Sequence, residues 1–365
     1  MQDVISLASG YGSFAVPPAA AEAAIRVIQA GPLPAGEAGG LTELREALAQ
    51  QYQRPGGSAP VLGSQVVVTP GAKSALFALL RTLLRPGDEV LLPTPNWFGF
   101  GQLIERAGGR VQFLPLASED HYTLKPAALE AALTPRTRIL LLSNPNNPTG
   151  RVYSRPELAA LLEVTRRFPD LYVISDEIYN LITFGPGPVP SLLEFPDPQQ
   201  RHVVVNGFSK SLALIGWGVG YLVAPAAVAA ACAAWQFATS VAVPAPNQHA
   251  ALAATRAAPA IADGLLAQLR PTRTALLSGL AAFPKVPASQ PEGTYYLFPD
   301  LRAYLSPALP PATAAAQLMS RFREAGVELV DGTSCRAPGF FRMSYAVPEP
   351  TLQEALDRMS QVLRP

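Results

Sequence analysis

Three short polar motifs follow apolar runs in the middle of the chain, and between them they hold an amine, a carboxylate, a phenol and a set of amides. Ser143-Asn144-Pro145-Asn146-Asn147-Pro148-Thr149-Gly150 follows RILLL, Ser175-Asp176-Glu177-Ile178-Tyr179 closes LYVIS, and Phe208-Ser209-Lys210-Ser211 follows HVVVNG. Polar groups at the ends of such strands gather on one rim of a sheet, where open α/β folds place their ligands. A lysine amine can hold an aldehyde cofactor as a Schiff base and exchange it for a substrate amine, which suits Lys210. A carboxylate opposite a pyridine nitrogen keeps that nitrogen protonated, so the ring absorbs the electrons left when a substrate Cα–H bond breaks, and Asp176 suits that position. The amide of Asn147 and the phenol of Tyr179 are donors for an anionic ring oxygen. Together these types describe a pyridoxal 5'-phosphate site. Lysine is scarce: Lys73, Lys125, Lys210 and Lys285 are the four in the chain.

Taken singly, each motif has a plain structural reading. Asn-Pro-Asn-Asn-Pro-Thr-Gly is turn sequence, and an acid after a strand is often a helix cap. It is their order, each at a strand end, that points to a site.

With these motifs on the page, the chain resembles the class I/II aminotransferases of the fold-type I pyridoxal phosphate enzymes, over nearly its whole length. The supporting stretches are Ile5-Ser6-Leu7-Ala8-Ser9-Gly10, Gly40-Leu41-Thr42-Glu43-Leu44-Arg45-Glu46-Ala47-Leu48, Pro291-Glu292-Gly293-Thr294-Tyr295-Tyr296-Leu297-Phe298 and Phe341-Arg342-Met343-Ser344-Tyr345-Ala346. Thr69-Pro70-Gly71-Ala72-Lys73 follows the strand-like QVVVT and opens a helix, whose free N–H groups favour an anion. The resemblance likewise puts the phosphate loop on Gly71, Ala72 and Lys73, with Ser209 beside it. It implies that Trp97 stacks on the pyridine face, that Arg342 binds the substrate α-carboxylate, and that Gly10 and Tyr295 border the substrate.

Two positions depart from the family pattern. Where the family has a phosphate-binding arginine eight residues after the lysine, Gly216-Trp217-Gly218-Val219-Gly220 has Gly218, and the hydroxyl usual three residues before the lysine is Gly207. Lys73, or an arginine from elsewhere, is left to hold the phosphate. The tyrosine that a partner chain commonly contributes is absent from Pro32 to Ala38.

At 365 residues, 49% apolar and 15% charged, the chain is long enough for two packed domains or one large one with ample core. Its net charge of +1, with basic residues dispersed, gives no electrostatic case for nucleic acid or an anionic membrane. The alanine-rich stretch from Ala224 to Ala234 is interrupted by Pro225 and too short to span a bilayer. No signal peptide is visible in MQDVISLASGYGSF, and Cys232 and Cys335 are isolated, so a cytoplasmic, reducing location is expected. His121, His202 and His249 lack metal-ligand spacing, and no metal is expected.

From Gln65 onward, strand-like runs alternate with helical ones: QVVVT, EVLLP, RVQFLPL, RILLLS, LYVIS, HVVVN and GYLVA, with helices near 74–84, 98–106, 127–133 and 156–167. That order predicts an α/β fold with a mostly parallel sheet sandwiched by helices, forming a large cofactor-binding domain over 32–258. Alanine-rich helix follows Pro225; then YYLFPD, a helix over 312–325, VELV and FFRMSYA suggest a smaller α+β domain of 259–365, which the resemblance extends to residues 1–31.

The activity expected is that of a homodimeric, pyridoxal phosphate-dependent aminotransferase moving an amino group between an amino acid and a 2-oxo acid, with Lys210, Asp176 and Tyr179 catalytic. A lyase, decarboxylase or cyclising enzyme of the same fold, or a non-catalytic sensor, would share these motifs.

Overall fold

A strand covered on both faces must be apolar at nearly every position, and the runs along this chain are of that kind. The computed structural model describes residues 3–33, 36–53, 60–240 and 242–363. Its strands are β1 (Ile5–Ser6), β2 (Val66–Thr69), β3 (Glu89–Thr94), β4 (Arg110–Pro115), β5 (Thr137–Ser143), β6 (Tyr172–Asp176), β7 (His202–Gly207), β8 (Gly220–Val223), β9 (Tyr296–Leu297), β10 (Val327–Glu328), β11 (Val330–Asp331) and β12 (Phe341–Ser344). The helices are α1 (Pro18–Gln29), α2 (Thr42–Gln51), α3 (Ala72–Leu83), α4 (Gly99–Arg106), α5 (Pro126–Ala132), α6 (Arg155–Thr165), α7 (Ala226–Thr239), α8 (Ala245–Arg256), α9 (Ala258–Ala281), α10 (Pro311–Glu324) and α11 (Glu349–Val362).

A seven-stranded sheet runs in the order β2-β8-β7-β6-β5-β3-β4. Pairing is parallel from β7 through β6, β5 and β3 to β4, whereas β8 is antiparallel to both of its neighbours. The expected mostly parallel α/β sheet is present. Side chains alternate between its faces: Val66, Val68, Leu140, Leu142, Val173 and Val204 join one core, with α1, α2, α6 and α8. Val67, Ile139, Leu141, Ile174, Val203 and Val205 join the other, with α3, α4 and α7.

A third core holds the C-terminal part, where β11-β12-β9 form an antiparallel sheet and Leu276, Leu318, Phe322, Leu352 and Met359 pack beside it. Of residues 1–31, which the family resemblance groups with this part, the described ones from 3 onward divide between two cores. β1 pairs with β10, whereas Ala20 and Ala24 of α1 pack into the first core of the large sheet, where α1 lies against α8. Small alanine side chains on both helices let them approach closely. The VELV run likewise splits into β10 and β11, which pair with different partners.

This topology brings the carboxyl ends of β2, β3, β5, β6 and β7 to one edge. Gly220 opens β8 opposite Thr69, the end of β2, and a Cβ there would lie 2.3 Å from the Ala72 amide nitrogen. Only hydrogen fits, so the glycine lets the start of α3 sit against the sheet. Gly220→Ala is expected to lower stability by about 1–3 kcal/mol in denaturant unfolding; wild-type stability would show that the turn shifts freely.

Candidate active site

The carboxyl ends of the strands face the C-terminal part across a cleft of about 430 Å³. Its walls combine Asn147, Asp176, Tyr179 and Lys210 from loops and strand ends, Ala72 and Lys73 from the start of α3, Trp97 after β3, and Gly10, Tyr296 and Arg342 from the terminal segments.

Asp176 is the last residue of β6, in register with Ser143 of β5. Its Oδ1 accepts the Ile178 N–H at 3.2 Å, a short-range bond that aims the carboxylate off the strand end. Burial pushes this carboxyl up to about 7, against the opposing pull of the Ile178 amide and the Lys210 charge. Lys210 lies three residues beyond β7, and its Nζ donates to the Gly10 carbonyl. The same ammonium sits 4.1 Å from the ring centre of Tyr11. Burial lowers its pKa to about 8, helped by the charges of Arg342 and Lys73 and opposed by Asp176.

Arg342, on β12, is only 4% exposed. It donates from Nη1 to Asn147 Oδ1 at 3.1 Å and from Nη2 to the Ala8 carbonyl at 2.9 Å, and stacks 4.2 Å over Tyr296. Its buried Nε has no partner, and among the described residues no carboxylate pairs with this guanidinium. Accepting from Arg342 leaves the Asn147 NH2 group as a donor. The Tyr179 hydroxyl lies 2.9 Å from that of Tyr296, and burial holds its pKa well above 10.0, so it stays a neutral phenol.

Gly71 caps α3 with φ +83, a backbone that side chains resist. Ala72 and Lys73 then begin the helix, where backbone N–H groups lack intrahelical acceptors. Lys73 Nζ lies 5.4 Å from the Trp97 ring centre, and Trp97 stands edge-on to Phe100 at 5.2 Å. A helix start with a flanking cation suits a phosphate.

Most residues singled out in the sequence converge here; Tyr295, Ser209 and Gly71 do not line the cleft. Tyr295 is fully buried and donates to the Gly10 carbonyl at 2.8 Å, so it shapes the wall from behind while Tyr296 faces the cleft. Neighbouring residues on a strand point to opposite sides, and nothing in a Tyr-Tyr pair says which one points in. Ser209 is half-buried beside Lys210 but does not line the cleft. Gly218 is exposed with φ +63 and open space beyond its Cα, leaving Lys73 as the cation at the α3 start. Tyr11 and Phe98 line the cleft without having been singled out.

The whole-chain comparisons agree with this geometry. Residues 2–359 match the family model described as aminotransferase class I and II. The chain belongs to that family. It is 35% identical to the aspartate/prephenate aminotransferase of Thermus thermophilus, over 99% of this chain and 91% of the relative. With the aspartate aminotransferase of Geobacillus stearothermophilus it shares 31%, over 99% and 91%. The Thermus thermophilus aspartate aminotransferase solved with maleate superposes with a TM-score of 0.89 at 34% identity, covering 99% of this chain and 92% of that one. For the aspartate aminotransferase of Rhizobium meliloti the TM-score is 0.92 at 29% identity, with 99% and 91% covered. The protein is a pyridoxal phosphate-dependent aminotransferase. Its residues fit that cofactor: a lysine near neutrality, a carboxylate on the facing strand end, a free helix start, and a buried guanidinium without a counter-ion.

The lowered Lys210 pKa sets a pH dependence. The neutral amine, the form that attacks an aldehyde, is the minority species below about 8 and dominates above it. Capture of pyridoxal phosphate by the cofactor-free protein should therefore accelerate with pH about a midpoint near 8, and Arg342→Gln should move that midpoint up. Stopped-flow absorbance checks this; a midpoint near the ordinary lysine value of 10.5 would contradict it.

Proposed function

We propose that Lys210 is the covalent and proton-transferring residue of this aminotransferase, with Asp176 and Tyr179 tuning the cofactor ring and Arg342 orienting the substrate. When bound, pyridoxal phosphate supplies an aldehyde that exchanges one amine for another and a ring that accepts the electron pair released at the substrate Cα. Lys210 would hold the cofactor through Nζ and, once a substrate amine has taken its place, that neutral Nζ would hold and move the Cα proton. Asp176 would keep the pyridine nitrogen protonated. Tyr179 and the Asn147 NH2 would serve as donors to the ring oxygen, and Trp97 would shield the ring from water. The N–H groups of Ala72 and Lys73, with the Lys73 ammonium, would hold the phosphate. Arg342 takes the α-carboxylate in its forked donors, and Asn147 fixes its plane.

The observation that carries this reading is the placement of Lys210, Asp176 and an unpaired Arg342 in one cleft. An amino acid enters, a 2-oxo acid leaves, and a second 2-oxo acid reverses the steps. We further propose a homodimer: Ile25 and Ile28 on α1 and Phe237 on α7 are 50%, 60% and 63% exposed, which suits a second copy. A reducing, cytoplasmic setting accords with the free, buried Cys232 and Cys335. Lys210→Ala is expected to reduce transamination by roughly a hundredfold to ten-thousandfold or more. Borohydride reduction followed by peptide mass spectrometry should place the cofactor on Lys210; finding it on Lys73, Lys125 or Lys285 would reject the assignment.

A further inference from the structure

We propose that the substrate side chain this cleft selects is uncharged and aromatic, and that Tyr11 is the residue that selects it, a statement resting on the site reading above. Each cation lining the cleft already has a partner group to hold. Lys73 stands at the helix start with its ammonium over Trp97, Lys210 is the covalent amine, and Arg342 serves the α-carboxylate. Among the described residues that line the cleft there is no fourth cation for a second carboxylate. Arg336, two residues beyond the lining Ser334, does not line the cleft and sits over the Phe113 ring at 3.9 Å.

The remaining wall is mostly apolar, with Tyr11, Leu76, Phe98, Ile178 and Val330 beside the hydroxyls of Ser143 and Ser334. Tyr11 and Phe98 keep 58% and 46% of their surface uncovered, and Phe98 packs obliquely on Trp97 at 5.8 Å to extend one aromatic corner. The backbone at Tyr11 is fixed by a local turn. Its N–H donates to Ser9 Oγ at 3.0 Å, and Ser9 Oγ donates back to its carbonyl at 2.8 Å. The preceding Gly10 carbonyl accepts from both Tyr295 and Lys210.

Location then decides the chemistry. The Tyr11 ring lies 4.1 Å from Lys210 Nζ, and a substrate Cα must come within reach of that same atom to give up its proton. A side chain carried on the Tyr11 side of that Cα meets this ring. An aromatic ring there gains an oblique ring–ring contact, whereas a carboxylate would lose water and meet no counter-ion from the described residues of this chain that line the cleft. The relatives named for aspartate are thus expected to differ from this chain at the side-chain end of the site.

Titration calorimetry on the holoenzyme tests this with 3-phenylpropanoate and maleate, which carry a carboxylate for Arg342 but no amine and so do not turn over. The phenyl acid should bind about tenfold tighter than maleate or better. Tyr11→Ala should weaken the phenyl acid by roughly threefold to tenfold and leave maleate unchanged, and Tyr11→Phe should retain the wild-type affinity. Tighter binding of maleate, equal losses for both ligands, or no loss in Tyr11→Ala would overturn the proposal. Because neither probe reacts, failure of the transamination reading would show separately, as an unchanged cofactor spectrum when L-phenylalanine, L-leucine or L-aspartate is added.

Discussion

Positive charge without counter-ions is the constraint around which this protein is arranged. Lys73, Lys210 and Arg342 share a cleft with one carboxylate, Asp176, and the ion pairs among the described residues lie elsewhere. Removing cations from water is costly unless something replaces the lost hydration. For the two buried ones, Lys210 and Arg342, the replacements are neutral: the carbonyls of Gly10 and Ala8, the Asn147 amide oxygen, and the faces of Tyr11 and Tyr296. Each orients a cation without cancelling it, so the charge stays available to a phosphate and a carboxylate. The same crowding of cations, together with burial, is what lowers the Lys210 pKa toward neutrality.

Holding such a cluster requires both parts of the chain. The large sheet delivers Asp176, Lys210 and the α3 start at strand ends, where polar groups can leave an apolar interior. The C-terminal part delivers Arg342 and Tyr296 from β12 and β9. The N-terminal strand closes the arrangement: Ile5 pairs with Val327, and Ser344 donates to the Leu7 carbonyl at 2.8 Å. Ala8 and Gly10 thereby reach across to the carboxyl edge of the large sheet.

Much of this was legible in the sequence, for identifiable reasons. Strands buried on both faces are continuous apolar runs, so six strands of the large sheet could be placed from them and the partly exposed edge strand β4 from the apolar residues within RVQFLPL, and the polar residues that end the buried runs stood out. What could not be placed depended on direction or on tertiary pairing. Tyr295 and Tyr296 differ only in which way the strand turns each. Tyr11 sits between two glycines and gains its meaning only from the Lys210 beside it. The docking of α1 on the large core rests on alanines, which advertise no partner. The missing charged anchor at Gly218 was visible, and so was Lys73 as a substitute at the helix start; the geometry adds that its ammonium lies 5.4 Å from the Trp97 ring centre.

The central claim, that burial in this cleft leaves its charged groups short of compensating partners and so open to ligands, covers its one carboxylate too, and is tested most directly there, at Asp176. Its carboxyl is raised from 3.8 to about 7, so the folded chain binds a proton there more readily than the unfolded chain. Stability from this group is therefore present at low pH and lost as pH rises from about 3.8 to about 7. The measurement is the thermal unfolding midpoint of cofactor-free protein against pH, for the wild type and Asp176→Asn. The account predicts that the variant is the more stable at pH near 8 and that the difference shrinks as pH falls toward 4. A variant no more stable than the wild type at pH near 8 would mean that the carboxylate is already satisfied within the fold, and would contradict it.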